Sequence, residues 1–145
     1  MTANPDNHAD AELLSRVETF WAAHKEANDS SKKWFAEYDR VNALPEFPPY
    51  TDRKAHDAFF EEHTNHALFD ISNKANKRQG RIVNAVFDSP AKTFRGVLAK
   101  LKIVEVAYGT GKEDGDTDLE VFQSAAVPWL ENAIGDFERL AGRAI

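Results

Sequence analysis

At 145 residues, with no cysteine and a formal net charge of −6, the chain fits one domain able to bury about two thirds of its unfolded surface, and disulfides and thiolate metal centres are excluded. The opening Met1-Thr2-Ala3-Asn4-Pro5-Asp6-Asn7-His8 has neither a basic head nor an apolar run, and nowhere do about 18 apolar residues follow one another. Neither a signal peptide nor a membrane-spanning helix is therefore expected, and the cytoplasm is the expected location.

In chain order, residues 1–9 read as a disordered N-terminus and residues 10–145 as a single helical domain. From Asp10, a candidate N-cap, Leu13, Val17, Phe20, His24, Ala27, Ser31, Trp34, Tyr38 and Val41 recur in alternating steps of four and three. That is the spacing of a coiled-coil seam. Its polar centre, His24 to Ser31, predicts a bend or a loosening. Pro45, Pro48 and Pro49 end this helix, because proline lacks the backbone donor and forces its predecessor towards extended geometry.

Thr51 or Asp52 then caps a second helix whose face runs through Ala55, Phe59, Phe60, His63, Ala67, Ile71, Ala75, Arg78, Ile82 and Val86. Two helices of more than thirty residues, each about 50 Å long, joined by a short proline-rich link, predict an antiparallel hairpin over 10–88. Ser89-Pro90 restarts the chain as N-cap and first helical residue. A third helix is expected over 90–108, with Phe94, Val97, Leu98, Leu101, Val104 and Tyr108 on its apolar face and Gly109 as its stop. After the acidic loop Gly109–Asp116, Leu119, Phe122, Ala126, Trp129, Ala133, Phe137 and Leu140 mark a last helix over 117–143, which Pro128 kinks or divides. The expected fold is all-α, a long hairpin with two shorter C-terminal helices.

Charge is segregated. Residues 1–70 carry a net −7, residues 71–102 a net +7 and residues 103–145 a net −6. Within the basic block, Lys74, Lys77, Arg78 and Arg81 fall at i, i+3, i+4 and i+7, one stripe on a helix. Such a stripe suits a nucleic-acid backbone, or pairing with the chain's own acids, Glu12, Glu18 or those near the C-terminus. His56, His63 and His66, interleaved with carboxylates, have spacing at which imidazoles hold zinc or iron. The Glu-x-x-His pairs of a di-iron bundle do not occur, and solvated or seam-lining histidines are the expected alternative. Asp114-x-Asp116-x-Asp118 opens like a calcium loop but has Leu119 and Ala125 where glycine and a bidentate glutamate are needed. No nucleophile elbow, phosphate-cradling loop or His-Glu-x-x-His is present, so no catalytic residue is assigned. No cofactor is expected either.

Leu14, Trp21 and Phe35 form a second heptad-spaced row beside the main seam. A helix with two such rows contacts more than one neighbour, either a later helix or another subunit, and self-association through this row is the expectation.

The stretch Ser89-Pro90-Ala91-Lys92-Thr93-Phe94-Arg95-Gly96-Val97-Leu98-Ala99-Lys100-Leu101 resembles a phrase found in small uncharacterised helical proteins of bacteria, common in alphaproteobacteria and often prophage-linked. In those proteins a helical hairpin leads to a proline, then Thr-x-x-Gly and an Ala-Lys-Leu-like run. The likeness covers about residues 85–108, with Phe94 and Arg95 departing from the small or aliphatic residues expected. It implies a helical layout and a mobile-element origin, and no chemistry. The resulting expectation is a non-catalytic helical interaction or accessory protein, oligomeric or bound to a protein partner. A nucleic-acid-associated regulator ranks second and a histidine metal protein third.

Overall fold

The computed structural model describes residues 8–109 and 119–144, and the architecture is all-α. Its helices are α1 (Ala11–Asn42), α2 (Arg53–His63), α3 (His66–Asp88), α4 (Phe94–Ala107) and α5 (Leu119–Ala144). Expectations for residues 1–7 and for the acidic loop at 110–118, including its calcium-like aspartates, lie outside the described residues. His8 and Ala9 are helical.

α1 runs unbroken through its polar centre and packs lengthwise on α3, while α4 pairs with α5 and also touches α1. Its exposed surface is laced by Glu12–Arg16 at 2.5 Å, Lys25–Asp29 at 2.7 Å and Glu37–Arg40. Pairs at i, i+3 or i, i+4 each favour the helix by a few tenths of a kcal/mol. The expected bend is absent because the polar seam residues find partners across it. His24 Nδ1 lies 2.9 Å from Gln79 Oε1, Ser31 Oγ lies 3.0 Å from Ser72 Oγ, and Asn76 Nδ2 donates to Ser31 Oγ at 3.2 Å. Polar groups matched in this way fix the register of two helices, since a slip would leave them buried and unpaired.

The second arm of the hairpin is two helices, not one. Thr64 is extended, Arg40 Nη2 donates to the carbonyl of His63 at 3.0 Å, and Asn65 accepts from the Ala67 amide at 3.2 Å to begin α3 afresh. The interruption resets the helical phase. α3 therefore buries Ser72, Ala75, Gln79, Val83, Val86 and Phe87, leaving Ile71 and Arg78 of the expected face in solvent. α2, capped by Asp52 as expected, buries no residue. It lies on the aromatic cluster of Trp34, Tyr38, Phe60 and Phe69 at the far end of the hairpin.

The apolar core sits where four helices meet. Leu13, Val17 and Phe20 of α1, Val83, Val86 and Phe87 of α3, Val97, Ile103 and Val104 of α4, and Ala126 and Trp129 of α5 form one cluster. Burying each large side chain stabilises the fold by about 1.5–3 kcal/mol. Phe87 and Trp129 stack with centroids 4.8 Å apart and planes 3° from parallel.

The third helix begins later than expected. Ser89 closes α3, and α4 starts at Phe94 with Thr93 as N-cap, its hydroxyl accepting from the Gly96 amide at 3.1 Å. Side chains from distant elements hold residues 91–93 out of the helix by taking their amides, as described below. At the other end the expectation holds: Gly109 has φ 79°, and its amide donates to Val106 O at 3.0 Å. Pro128 lies inside α5, which continues through it without dividing.

Candidate functional site

Two buried carboxylates fix how α4 and α5 are presented. Asp10, at the N-cap position of α1, makes no side-chain bond to its own helix. Its carboxylate instead accepts from the amides of Lys92 and Thr93, each at 2.9 Å, and from the Thr93 hydroxyl. Gly96 passes directly beneath: a Cβ there would stand 2.2 Å from Asp10 Oδ2, so only glycine fits. Asp136 of α5 accepts from the Ala91 amide at 3.0 Å, from Lys100 Nζ at 2.7 Å and from Arg139 Nη2 at 2.9 Å. Lys100 is 0% exposed; its ammonium also donates to Asn132 Oδ1 at 2.9 Å and lies 5.7 Å from the centre of the Phe87 ring. Arg139 Nη2 and Asn132 Nδ2 donate to the carbonyls of Ala91 and Phe87, tying α5 to the linker before α4 and to the last turn of α3.

Burial works to raise the Asp136 carboxyl, but the hydrogen bonds from Lys100, the Ala91 amide and Arg139 outweigh it. They hold the group below its ordinary value of 3.8. A carboxyl depressed on folding stabilises the protein above its unfolded value, and that contribution is lost as pH falls through the folded value. The urea midpoint is accordingly expected to drop as the medium is acidified below about pH 4. Asp136→Asn removes this part of the acid limb, which a urea series at stepped pH measures.

These contacts turn α4 relative to expectation, while α5 keeps Ala126, Trp129 and Ala133 inward as expected and, among the described residues, departs from it only at Phe137. Lys100 and Ile103 turn inward on α4, and Asp136 does so on α5. Their apolar neighbours consequently turn out: Phe94 is 52% exposed, Leu98 53%, Ile134 44% and Phe137 50%. Phe94 and Phe137 touch with centroids 5.5 Å apart, so the four form a band along the α4/α5 seam. Beside it, between α4 and α1, Leu14, Val17, Trp21, Leu98 and Ala99 line a groove of about 240 Å³ with Arg95 and Lys102 on its rim. The row Leu14, Trp21 and Phe35 is thereby divided. Leu14 and Trp21 line this groove opposite α4, whereas Phe35 is exposed near the far end of the hairpin.

The other candidate residues stay apart. His56 lies against Phe47 and Tyr50, with Nδ1 3.6 Å from Asp57 Oδ1. His63 lies against Phe59, and His66 Nε2 is 2.8 Å from the carbonyl of Glu61. The break at Thr64-Asn65 interrupts the helical spacing that was to align them, and among the described residues no three metal-ligating side chains converge. Lys74, Lys77, Arg78 and Arg81 are all exposed on α3, and Arg78 meets Glu26 of α1 at 3.0 Å rather than Glu12, Glu18 or the C-terminal acids.

The residues missed in the sequence left a signal. Lys100 falls in step with Val97 and Val104, and Asp136 with Trp129, Ala133 and Leu140, so each apolar stripe holds one charge and the two charges are opposite. Among the described residues, no helix is long and apolar enough to cross a membrane. No protein-family model, curated protein or solved structure matches the chain.

Proposed function

We propose that the chain is a non-catalytic helical interaction protein that presents the α4/α5 face to a protein partner. The observation that carries this reading is the apolar band of Phe94, Leu98, Ile134 and Phe137, about half exposed along a seam whose buried side is held by charge-assisted hydrogen bonds. Contiguous exposed apolar side chains beside polar ones mark interaction surfaces, and aromatic residues are enriched at the centres of such surfaces. The strongly buried ions, Asp10, Lys100 and Asp136, are committed to holding the helices together, which fits a scaffold better than an acid–base centre. The basic stripe gives a nucleic-acid reading less support, because Glu26 of α1 answers Arg78. An accessory role in a mobile element accords with the resemblance at Ser89–Leu101.

A photoreactive residue placed at Leu98 is expected to give discrete crosslinked protein bands in cells of the native host. The same residue at Lys77, exposed on α3, is expected to give none of them. Equal labelling from the two positions, or none from Leu98, overturns the reading.

A further inference from the structure

We infer that the partner of the α4/α5 face is a second copy of this chain, docked about a two-fold axis that runs along the α4/α5 seam. The inference rests on the interaction reading above and names the partner that the charges of this face select.

α4 presents Arg95, Leu98 and Lys102 to solvent, and α5 presents Glu131, Ile134 and Glu138. The two triplets have the same spacing, i, i+3 and i+7, with opposite charges at their ends. On either helix the end charges stand about 10.5 Å apart. Among the described residues these four charges form no ion pair within the chain, although elsewhere Arg16, Lys25, Arg40 and Arg78 each find an acid. The band of Phe94, Leu98, Ile134 and Phe137 separates the cations from the acids.

The register within one chain decides what such an axis would bring together. α4 and α5 run antiparallel, since Phe94 touches Phe137 and Lys100 reaches Asn132 at 2.9 Å. Position 95 therefore stands at about the height of 138, position 98 at that of 134 and position 102 at that of 131. A two-fold parallel to the seam keeps each residue at its height while carrying α4 of the second copy over α5 of the first. Arg95 then faces Glu138 of the second copy, Lys102 faces its Glu131, and Leu98 faces its Ile134, with every contact made twice. The paired phenylalanines meet at the axis. Glu105, a turn beyond Lys102, stands level with Val127, outside the charge pairs. Gly135 has open space above it, so a helix lying across α5 can approach its backbone closely. Exposed ion pairs add little affinity, but they choose partner and register. Here they allow a like copy only in this one orientation.

The test is a charge swap followed by sedimentation equilibrium, with circular dichroism to verify that each variant is folded. The natural chain is expected to approach twice its 16.3 kDa mass as concentration rises. R95E/K102E alone and E131K/E138K alone should each associate at least about tenfold more weakly. An equimolar mixture should recover the dimer, because every reversed charge then meets its complement, and its affinity should fall with added salt. A natural chain that stays monomeric to submillimolar concentration overturns the inference. So does a dimer that either folded variant forms undiminished, or a mixture that fails to recover. If crosslinking at Leu98 then still captures a different protein, the interaction reading stands without self-pairing. If it captures nothing, both fall.

Discussion

Asp136→Ala is expected to lower the unfolding free energy by about 3–5 kcal/mol, because it strands the Lys100 ammonium in the core. Lys100 is wholly buried, and Asp136 is the carboxylate that neutralises it at 2.7 Å. Asn132 Oδ1 is a neutral acceptor and cannot replace that charge. The same substitution leaves the Ala91 amide without its acceptor and leaves Arg139 with the Ala91 carbonyl but no carboxylate, so the linker before α4 loosens together with the ion pair. Set against the ~5–15 kcal/mol that holds a typical domain, the loss is large. Removing both charges tests the cause. Lys100→Met with Asp136→Leu substitutes apolar volume for the pair and should recover most of the loss, since a buried ion pair contributes little net stability over a packed apolar one. Urea unfolding of the two single variants and the double variant measures the coupling. Additive losses would show that the two residues act independently.

Gly96→Ala is expected to cost about 2–3 kcal/mol, a large penalty for one methyl group. In an ordinary helix this exchange stabilises by up to ~1 kcal/mol, so the sign itself is diagnostic. The added Cβ would stand 2.2 Å from Asp10 Oδ2 and 2.9 Å from Asp10 Cγ, and also 3.1 Å from Ala91 Cβ. Asp10 could yield only by giving up the amides of Lys92 and Thr93, which would leave part-buried donors unpaired. In an Asp10→Ala background the carboxylate is gone, and Gly96→Ala should cost less than it does alone. Equal cost in both backgrounds would point to the contact with Ala91 and not to the carboxylate.

Much of the local structure was legible along the chain. Alternating steps of three and four from Leu13 to Val41 announce α1, three prolines announce its end, and Gly109 announces the end of α4, where its positive φ suits glycine alone. Asp52 could be read as a cap because its role is played within three residues. Asp10 and Ser89 could not. Each stands where a cap is expected, yet Asp10 bonds to residues more than eighty positions away, and Ser89 accepts from Arg16 across seventy-three. The start of α4 moved from Pro90 to Phe94 for the same reason.

Residue order along the chain already dictates that it is helical, where most helices stop, and that α1 meets a partner along a seam with a polar middle. These are consequences of side-chain spacing and backbone chemistry, which act over one or two turns. Long-range packing chose the inward faces of α3 and α4, because polar groups on different helices override apolar spacing. Ser31 with Ser72 and His24 with Gln79 set the phase of α3, while Lys100 with Asp136 set that of α4. A buried charge must find its opposite whatever the periodicity suggests. With Lys100 and Asp136 paired on the inner side, Phe94, Leu98, Ile134 and Phe137 lie on the outer side and form the surface on which the functional reading rests.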